Sequence, residues 1–115
     1  MEEGSYKVLK DPKFDEWLEC QPAHCQMQIY KRLSNIEQYG HFGDRRSVSD
    51  YETGYLKNAV WELRWKDGRR VYYAYVPEKR ILLLLGGNKN GQDQDVTQAK
   101  NIFIKATHIS QKKKR

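Results

Sequence analysis

Charged side chains alternate with apolar ones between Val60 and Lys66, and this is the period of a β-strand that turns one face to the protein core. Glu62, Arg64 and Lys66 would share the opposite face. Two cations and a carboxylate on one face can bind an anion, and phosphate is the simplest anion for them to hold. The same pattern also fits a solvated face whose basic residues only keep the protein soluble.

The hairpin after this strand decides whether Arg70 and Tyr72 join the charged face. A two-residue loop at Asp67-Gly68 would place Arg64 opposite an apolar residue and mix the two faces. A three-residue loop that begins at Asp67 instead places Lys66 opposite Arg70 and Arg64 opposite Tyr72. We predict the second register. Like charges packed so closely repel each other, so a phosphate lying among them would stabilise the arrangement.

The charge of the chain is divided unevenly. Its 115 residues carry a formal charge of +6, and a chain of this length forms one domain. Residues 1–55 have a balance of −3 and residues 56–115 a balance of +9. The basic half contains the strands, so a polyanionic partner, most simply nucleic acid, fits the sheet better than an acidic membrane surface does.

No signal peptide or membrane-spanning segment is evident, since the longest wholly apolar run is Ile81–Leu85, and we expect a cytoplasmic protein. Cys20 and Cys25 flank His24, but a zinc site needs more ligands than these three residues supply. A disulfide would be geometrically feasible. With no secretory feature in the sequence, reduced thiols are the expectation. No metal or cofactor is predicted.

Hydrophobic periodicity predicts an α+β fold in the order β-α-α-β-β-β-α, with a mostly antiparallel sheet and a helical hairpin packed on one face. Asp11-Pro12 is typical of a helix start and Gly40 of a helix end. The predicted elements are a strand over 5–10, helices from Pro12 and over 23–39, strands near 60–66, 70–75 and 81–85, and a helix over 92–106. Residues 1–106 would form the domain and 107–115 a disordered basic tail.

Residues 41–59 are rich in glycine, serine and charged residues, and this composition predicts an extended connection. It is long for an unstructured loop, which indicates function or mobility. Arg45, Arg46 and Lys57 lie in it and could contact the phosphates of an RNA backbone. The same residues also fit ordinary surface positions.

Six short motifs follow one another along the chain: F-D-E-W-L over 14–18, Y-G-H-F-G-D over 39–44, E-L-R over 62–64, G-x-R-V-Y-Y over 68–73, L-L-L-G-G-N-K over 83–89 and Q-D-x-D-V-x-x-A-K over 92–100. No one motif is decisive, but the ordered series resembles the RelE/ParE toxin superfamily, and within it the HigB-like addiction module killer branch. The resemblance covers nearly the whole predicted domain.

The resemblance implies the toxin of a type II toxin–antitoxin system. Many relatives enter the ribosomal A site and cut mRNA without a metal or cofactor, since the RNA 2′-hydroxyl attacks the adjacent phosphate and leaves a 2′,3′-cyclic phosphate. The implied partners are the ribosome, mRNA and an antitoxin, typically of the helix-turn-helix type, that covers the basic face. A monomer alone and a hetero-oligomer with antitoxin are expected.

The same resemblance implies which cations stabilise the charge of the transition state. Arg70 matches the arginine of the R-x-x-Y element and can hold two phosphate oxygens with its fork. Arg64 matches a basic position on the preceding strand. Lys89 matches a basic residue after the last strand, and it could bind the phosphate or protonate the leaving oxygen. Tyr72 would stack on an exposed base, and the RNA-binding set also includes Lys66 and Arg69.

The acid and base are less well defined. Glu62 and Asp95 are the candidate general bases, and either could instead be a salt-bridge partner of an arginine. The turn before Arg70 is about two residues shorter than is usual in the branch. Two alternatives stay open: a ParE-like inhibitor that binds DNA gyrase, and a non-catalytic basic module that binds antitoxin or nucleic acid. Convergence of Arg64, Arg70 and Lys89 on one point would favour the ribonuclease.

Overall fold

Five strands and three helices make up the chain in a computed structural model, which describes residues 5–113. In chain order they are β1 (Lys7–Lys10), α1 (Pro12–Glu19), α2 (Ala23–Tyr39), β2 (Arg45–Ser47), β3 (Val60–Arg64), β4 (Arg69–Val76), β5 (Arg80–Asn88) and α3 (Gln92–Lys113). Short 3₁₀ turns lie at Gly54–Leu56 and Lys89–Gly91. The predicted α+β class and the order of the predicted elements are confirmed, with one strand added.

The sheet has the strand order β1-β5-β4-β3-β2, and only the β1–β5 pair is parallel. Helices α1 and α2 cover one face of the sheet, where Phe14 and Ile29 pack against Leu63 and Leu83. Helix α3 covers the other face through a second apolar cluster that includes Phe103. The sheet is therefore the middle of three layers.

Local sequence signals set the ends of the helical hairpin as predicted. The Asp11 side chain accepts a hydrogen bond from the Lys13 backbone N–H at 2.9 Å, and Pro12 occupies the first turn of α1. Gly40 ends α2 in the left-handed conformation at φ 70°. These caps direct both helices back across the sheet.

The hairpin between β3 and β4 has a three-residue loop, but it begins one residue earlier than predicted. Arg64 pairs with Arg70, and the backbone N–H of Trp65 donates to the Arg69 carbonyl at 3.0 Å. The loop is therefore 66–68, which places Lys66 in the turn and corrects the predicted Lys66–Arg70 pair. A register error of two positions keeps each residue on its predicted face.

Two elements outside the predicted strands differ from the prediction. Three residues of the predicted connection, Arg45–Ser47, form an edge strand against β3. This strand was not predicted because it is only three residues long and has no alternation of apolar and polar residues. Helix α3 runs to Lys113 rather than to Ala106, so residues 107–113 of the predicted tail are helical, and no glycine or proline interrupts them. No helix among residues 5–113 is long and apolar enough to cross a membrane.

Two glycines in β5 let both helical layers approach the sheet closely. A Cβ on Gly86 would lie 2.1 Å from the Trp17 ring of α1, and a Cβ on Gly87 would lie 2.1 Å from Asp95 Oδ2 of α3. No side chain fits at either position. The glycine pair therefore sets the spacing of the three layers at this end of the sheet.

Gly86→Ala should lower the free energy of unfolding by about 2 to 3 kcal/mol, because the new methyl group overlaps a ring held in the core. Urea unfolding followed by circular dichroism measures it. Gly91→Ala is the matched control, since its Cβ would meet Asp95 Oδ2 at an ordinary 3.5 Å. Equal stability of the two variants would show that Trp17 can move freely.

Candidate active site

Glu62 lies at the centre of a charged cluster on the sheet face that α3 partly covers. Strand pairing sets Glu62 between Arg46 of β2 and Tyr72 of β4. The Glu62 side chain is fully buried, and Arg70 is only 7% exposed. We refer to Glu62, Arg64, Arg70 and Tyr72 as the Glu62 cluster. The face is the predicted one, although it is an interface with a helix rather than an open surface.

Both arginines of the cluster face the same carboxylate. Arg64 Nε lies 3.8 Å from Glu62 Oε2, and Arg70 Nε lies 3.8 Å from Glu62 Oε1. Gln92, at the start of α3, donates from Nε2 to Glu62 Oε1 at 2.9 Å. Arg70 also donates from Nη1 to the carbonyls of Trp65 at 3.2 Å and of Arg69 at 3.0 Å. The carboxylate thus holds two guanidinium groups at the hairpin end of the sheet.

Four buried polar atoms of the cluster have no hydrogen-bond partner among the described residues: Glu62 Oε2, Arg64 Nε, Arg70 Nε and Tyr72 Oη. A buried polar atom without a partner costs about 1 to 3 kcal/mol. Unpaired buried polar atoms are rare in native proteins and call for an explanation, and a catalytic role is one that applies to a cluster of charged groups. The two arginine nitrogens are donors of the kind that a phosphate oxygen accepts from.

Burial shifts the pKa of two carboxyls around the cluster. Burial raises the pKa of Glu62, and this effect outweighs the opposing attraction of Arg70, Arg64 and Arg46. Burial also raises the pKa of Asp95, against a hydrogen bond from the backbone N–H of Asn88 that lowers it. A carboxyl group whose pKa is shifted toward neutral pH is suited to proton transfer.

Tyr72 differs from its predicted role in RNA stacking. Its side chain is fully buried under α3, so it has no free ring face for a base. Burial, together with the negative charges of Glu62 and Asp95, raises the pKa of its phenol. Tyr72 therefore stays a neutral hydroxyl whose oxygen lies inside the cluster.

Asp95 and Lys89 lie beside the cluster rather than in it. Asp95 packs against Gly87, and Gly87 pairs with Arg70 across the β4–β5 ladder. Lys89 is exposed, its aliphatic stem lies against Gly68, and its backbone N–H donates to the Gly68 carbonyl at 2.7 Å. All three predicted cations therefore lie at one end of the sheet, but only Arg64 and Arg70 face Glu62.

The two arginines of β2 point to opposite faces. Arg46 is exposed on the Glu62 side, where its charge acts on the carboxylate. Arg45 stacks on Phe42 at 4.4 Å and donates to the hydroxyls of Tyr73 and Tyr75. Arg46 thus remains a candidate for RNA contact, whereas Arg45 is occupied by the aromatic cluster on the other face. Lys57 and Lys66 are exposed, in the loop before β3 and in the hairpin turn.

The Arg69 side chain lies on the opposite face of the sheet from Arg70 and connects the β3–β4 hairpin to α2. It donates to Gln28 Oε1 at 2.8 Å and to Cys25 Sγ at 2.9 Å, and it pairs with Asp67 at 2.5 Å. Arg70 is equally buried, at 7% exposed, but its Nε has no hydrogen-bond partner among the described residues, whereas both terminal nitrogens of Arg69 are used. The predicted contact of Arg69 with RNA is therefore corrected to a structural role. Cys20 is exposed and Cys25 is buried, and both are free thiols.

Two residues of the site were not predicted from the sequence. Gln92 reaches Glu62 from 30 residues away along the chain. Arg32 of α2 donates to the Arg64 carbonyl at 3.0 Å and lies over the Trp65 ring at 4.2 Å. Gln92 opens the Q-D-x-D-V-x-x-A-K motif and Arg32 stands in none of the motifs, but neither contact could be predicted, because both depend on how a helix packs on the sheet.

Comparisons with known proteins give a family and a fold for this chain. The model of the family described as phage derived protein Gp49-like (DUF891) matches residues 16–107. An uncharacterised protein of Haemophilus influenzae is 36% identical over 90 residues, which cover 76% of this chain and 82% of that protein. In the toxin–antitoxin complex RelBE2 from Mycobacterium tuberculosis, one chain aligns with a TM-score of 0.57 at 11% identity, over 75% of this chain and 93% of that chain. At this identity the likeness shows a shared fold.

Arg69→Ala should lower the free energy of unfolding by about 2 to 3 kcal/mol, because it removes charged hydrogen bonds between the hairpin and α2. Arg46→Ala is the control at an exposed arginine, with an expected change within about 0.5 kcal/mol. Urea unfolding of both variants tests the distinction. If Arg69→Ala is as stable as Arg46→Ala, the inference that Arg69 stabilises the fold is wrong.

The raised pKa of Glu62 also predicts a pH dependence. Between its ordinary value of 4.5 and the higher folded-state pKa, the folded chain binds this proton more tightly than the unfolded chain does. The free energy of unfolding should therefore fall as the pH rises through that window, and Glu62→Gln should remove this part of the slope. Asp95, whose shift has the same sign, remains as background in both proteins. Urea unfolding across the window measures the two slopes, and parallel curves would contradict the shift.

Proposed function

The chain belongs to the phage-derived Gp49-like (DUF891) family, and we propose that it is the toxin of a toxin–antitoxin pair. The fold that it shares with a chain of the RelBE2 toxin–antitoxin complex supports this proposal. The antitoxin would be a helix-turn-helix protein that covers the basic end of the sheet, and the toxin would act in the cytoplasm. Membership of the HigB-like branch rests on the ordered motifs of the sequence.

The toxin activity that the site supports best is ribosome-dependent cleavage of mRNA. The observation that carries this is the convergence of Arg64 and Arg70, two of the three predicted cations, on one carboxylate at the hairpin end of the sheet. In the reaction the RNA 2′-oxygen bonds to phosphorus and the bond to the 5′-oxygen breaks. Arg70 and Arg64 would stabilise the charge that builds on the phosphate oxygens. Lys89, exposed at the same end, would add to phosphate binding.

Burial divides the roles of the two carboxylates. Glu62 is enclosed and accepts from Gln92, so it acts as a positioning residue that orients Arg64 and Arg70. Asp95 is partly exposed beside Gly87, and burial raises its pKa. Asp95 is therefore the better candidate to take the proton of the 2′-hydroxyl. The leaving 5′-oxygen would take its proton from Lys89 or from water.

A second function has one observation in its favour. The burial of Glu62 leaves few acid–base groups at the surface of the site, and a ParE-like toxin that inhibits DNA gyrase by binding would need none. Loss of RNA cleavage without loss of toxicity in the variants below would favour this alternative.

Arg70→Ala should abolish growth arrest and mRNA cleavage when the chain is expressed from an inducible promoter in bacteria. Removing a preorganised charge donor costs about a hundredfold to a thousandfold in rate. Primer extension on abundant mRNAs locates new ends within translated codons for the wild type. Arg70→Lys keeps the charge but not the fork, so it should retain an intermediate activity.

Arg80→Ala is the matched control, because Arg80 lies at the other end of β5 and pairs with the exposed Glu78 at 3.9 Å. This variant should arrest growth as the wild type does. Arrest with intact mRNA and an induced DNA-damage response would point to gyrase. No arrest by the wild type would overturn the toxin proposal.

A further inference from the structure

An open groove runs between α2 and the hairpin end of β3 and β4, with a volume of about 610 Å³. One face of α2 forms its first wall, and the start of the β3–β4 turn forms the second. We call it the α2 groove. Its lining residues are Gln28, Lys31, Arg32, Asn35, Asp44, Arg64, Trp65, Lys66 and Asp67.

The α2 groove presents uncompensated positive charge. Its two acidic residues are occupied, since Asp67 pairs with Arg69 at 2.5 Å and Asp44 lies near enough to Arg32 to attract its charge. Lys31 and Lys66 are exposed, and neither forms an ion pair within residues 5–113. The groove therefore favours an anionic ligand.

Arg32 makes the wall of the groove rigid. Its guanidinium donates to the carbonyls of Phe42 and Asp44, each at 3.3 Å, as well as to that of Arg64. The same group covers the Trp65 ring. With Arg32 held in this way, Lys31 and Lys66 are the cations of the groove that are free to move toward a ligand.

Arg64 connects the α2 groove to the Glu62 cluster. It lines the groove and also lies 3.8 Å from Glu62. A strand whose phosphate lies between Arg64 and Arg70 would therefore continue directly into the groove. Asn35 and Gln28, whose Oε1 already accepts from Arg69, lie on the same face of α2 as Lys31. The Asn35 amide and the Gln28 Nε2 group can bond to base edges.

We propose that the α2 groove binds the single-stranded RNA next to the phosphate held by Arg64 and Arg70, with Lys31 and Lys66 contacting its backbone. This inference rests on the proposed RNA substrate and adds a subsite to it. An acidic protein segment fits less well. Trp65 is the one apolar residue lining the groove, and Arg32 lies over one face of its ring, so the groove offers no cluster of apolar side chains for a protein anchor.

The test is binding of a short fluorescein-labelled RNA whose 2′-hydroxyls are methylated, so that it cannot be cleaved. Fluorescence anisotropy is measured over a range of salt concentrations with the full chain. The double variant Lys31→Glu with Lys66→Glu should bind at least about tenfold more weakly, and its salt slope should be shallower by about 1.4, since two phosphate contacts are lost. Both residues are exposed, so urea unfolding should show an unchanged fold.

Lys13→Glu is the control, a charge reversal at an exposed lysine of α1 outside the groove, and it should leave RNA affinity within about twofold. RNA affinity of the double variant equal to that of the control would overturn the subsite. The same measurement is made with an oligoglutamate peptide. If the double variant binds this peptide more weakly but binds RNA as the wild type does, the RNA subsite is also overturned, and the groove is assigned to a protein partner. Groove-dependent RNA binding by a chain that cleaves no mRNA would support the subsite while the proposed ribonuclease fails.

Discussion

A buried carboxylate between two arginines is the interaction on which this site depends. Glu62 has no exposed surface, and each of its oxygens lies 3.8 Å from a guanidinium nitrogen. Removing charges from water costs several kcal/mol for each ion, so an arrangement with incomplete hydrogen bonding is expensive to keep. It holds Arg64 and Arg70 side by side at one end of the sheet, where repulsion between them would otherwise move them apart. The cost makes sense if the two arginines act together on one anion.

The layers around the sheet maintain this arrangement. Gly86 and Gly87 let Trp17 of α1 and Asp95 of α3 approach β5 from opposite sides. The approach of α3 brings Gln92 to Glu62 and buries Tyr72. On the other face, Arg69 fixes the hairpin to α2, and its neighbour Arg70 is thereby turned toward the cluster. Structural and site arginines thus alternate along β4 because a strand alternates its faces.

The same hairpin end carries both the cluster and the α2 groove. Arg64 belongs to both, since its guanidinium nitrogen faces Glu62 and its exposed part lines the groove. Positive charge therefore continues from the buried Arg70 through the partly exposed Arg64 to the exposed lysines. With the RNA substrate proposed above, such a gradient would attract the backbone at the surface and place one phosphate at its inner end.

Which residues share a face of the sheet follows from the residue pattern of the strands alone. A strand period of two and a three-residue hairpin put Glu62, Arg64 and Arg70 together, and a register shift of two positions left that result intact. Capping residues likewise determined the helical hairpin. Packing between distant elements is what puts α3 over the charged face, buries Tyr72, and gives Arg45 and Arg69 their structural partners. Those outcomes depend on contacts between residues far apart in the chain, and the period of a single strand or helix contains no information about them.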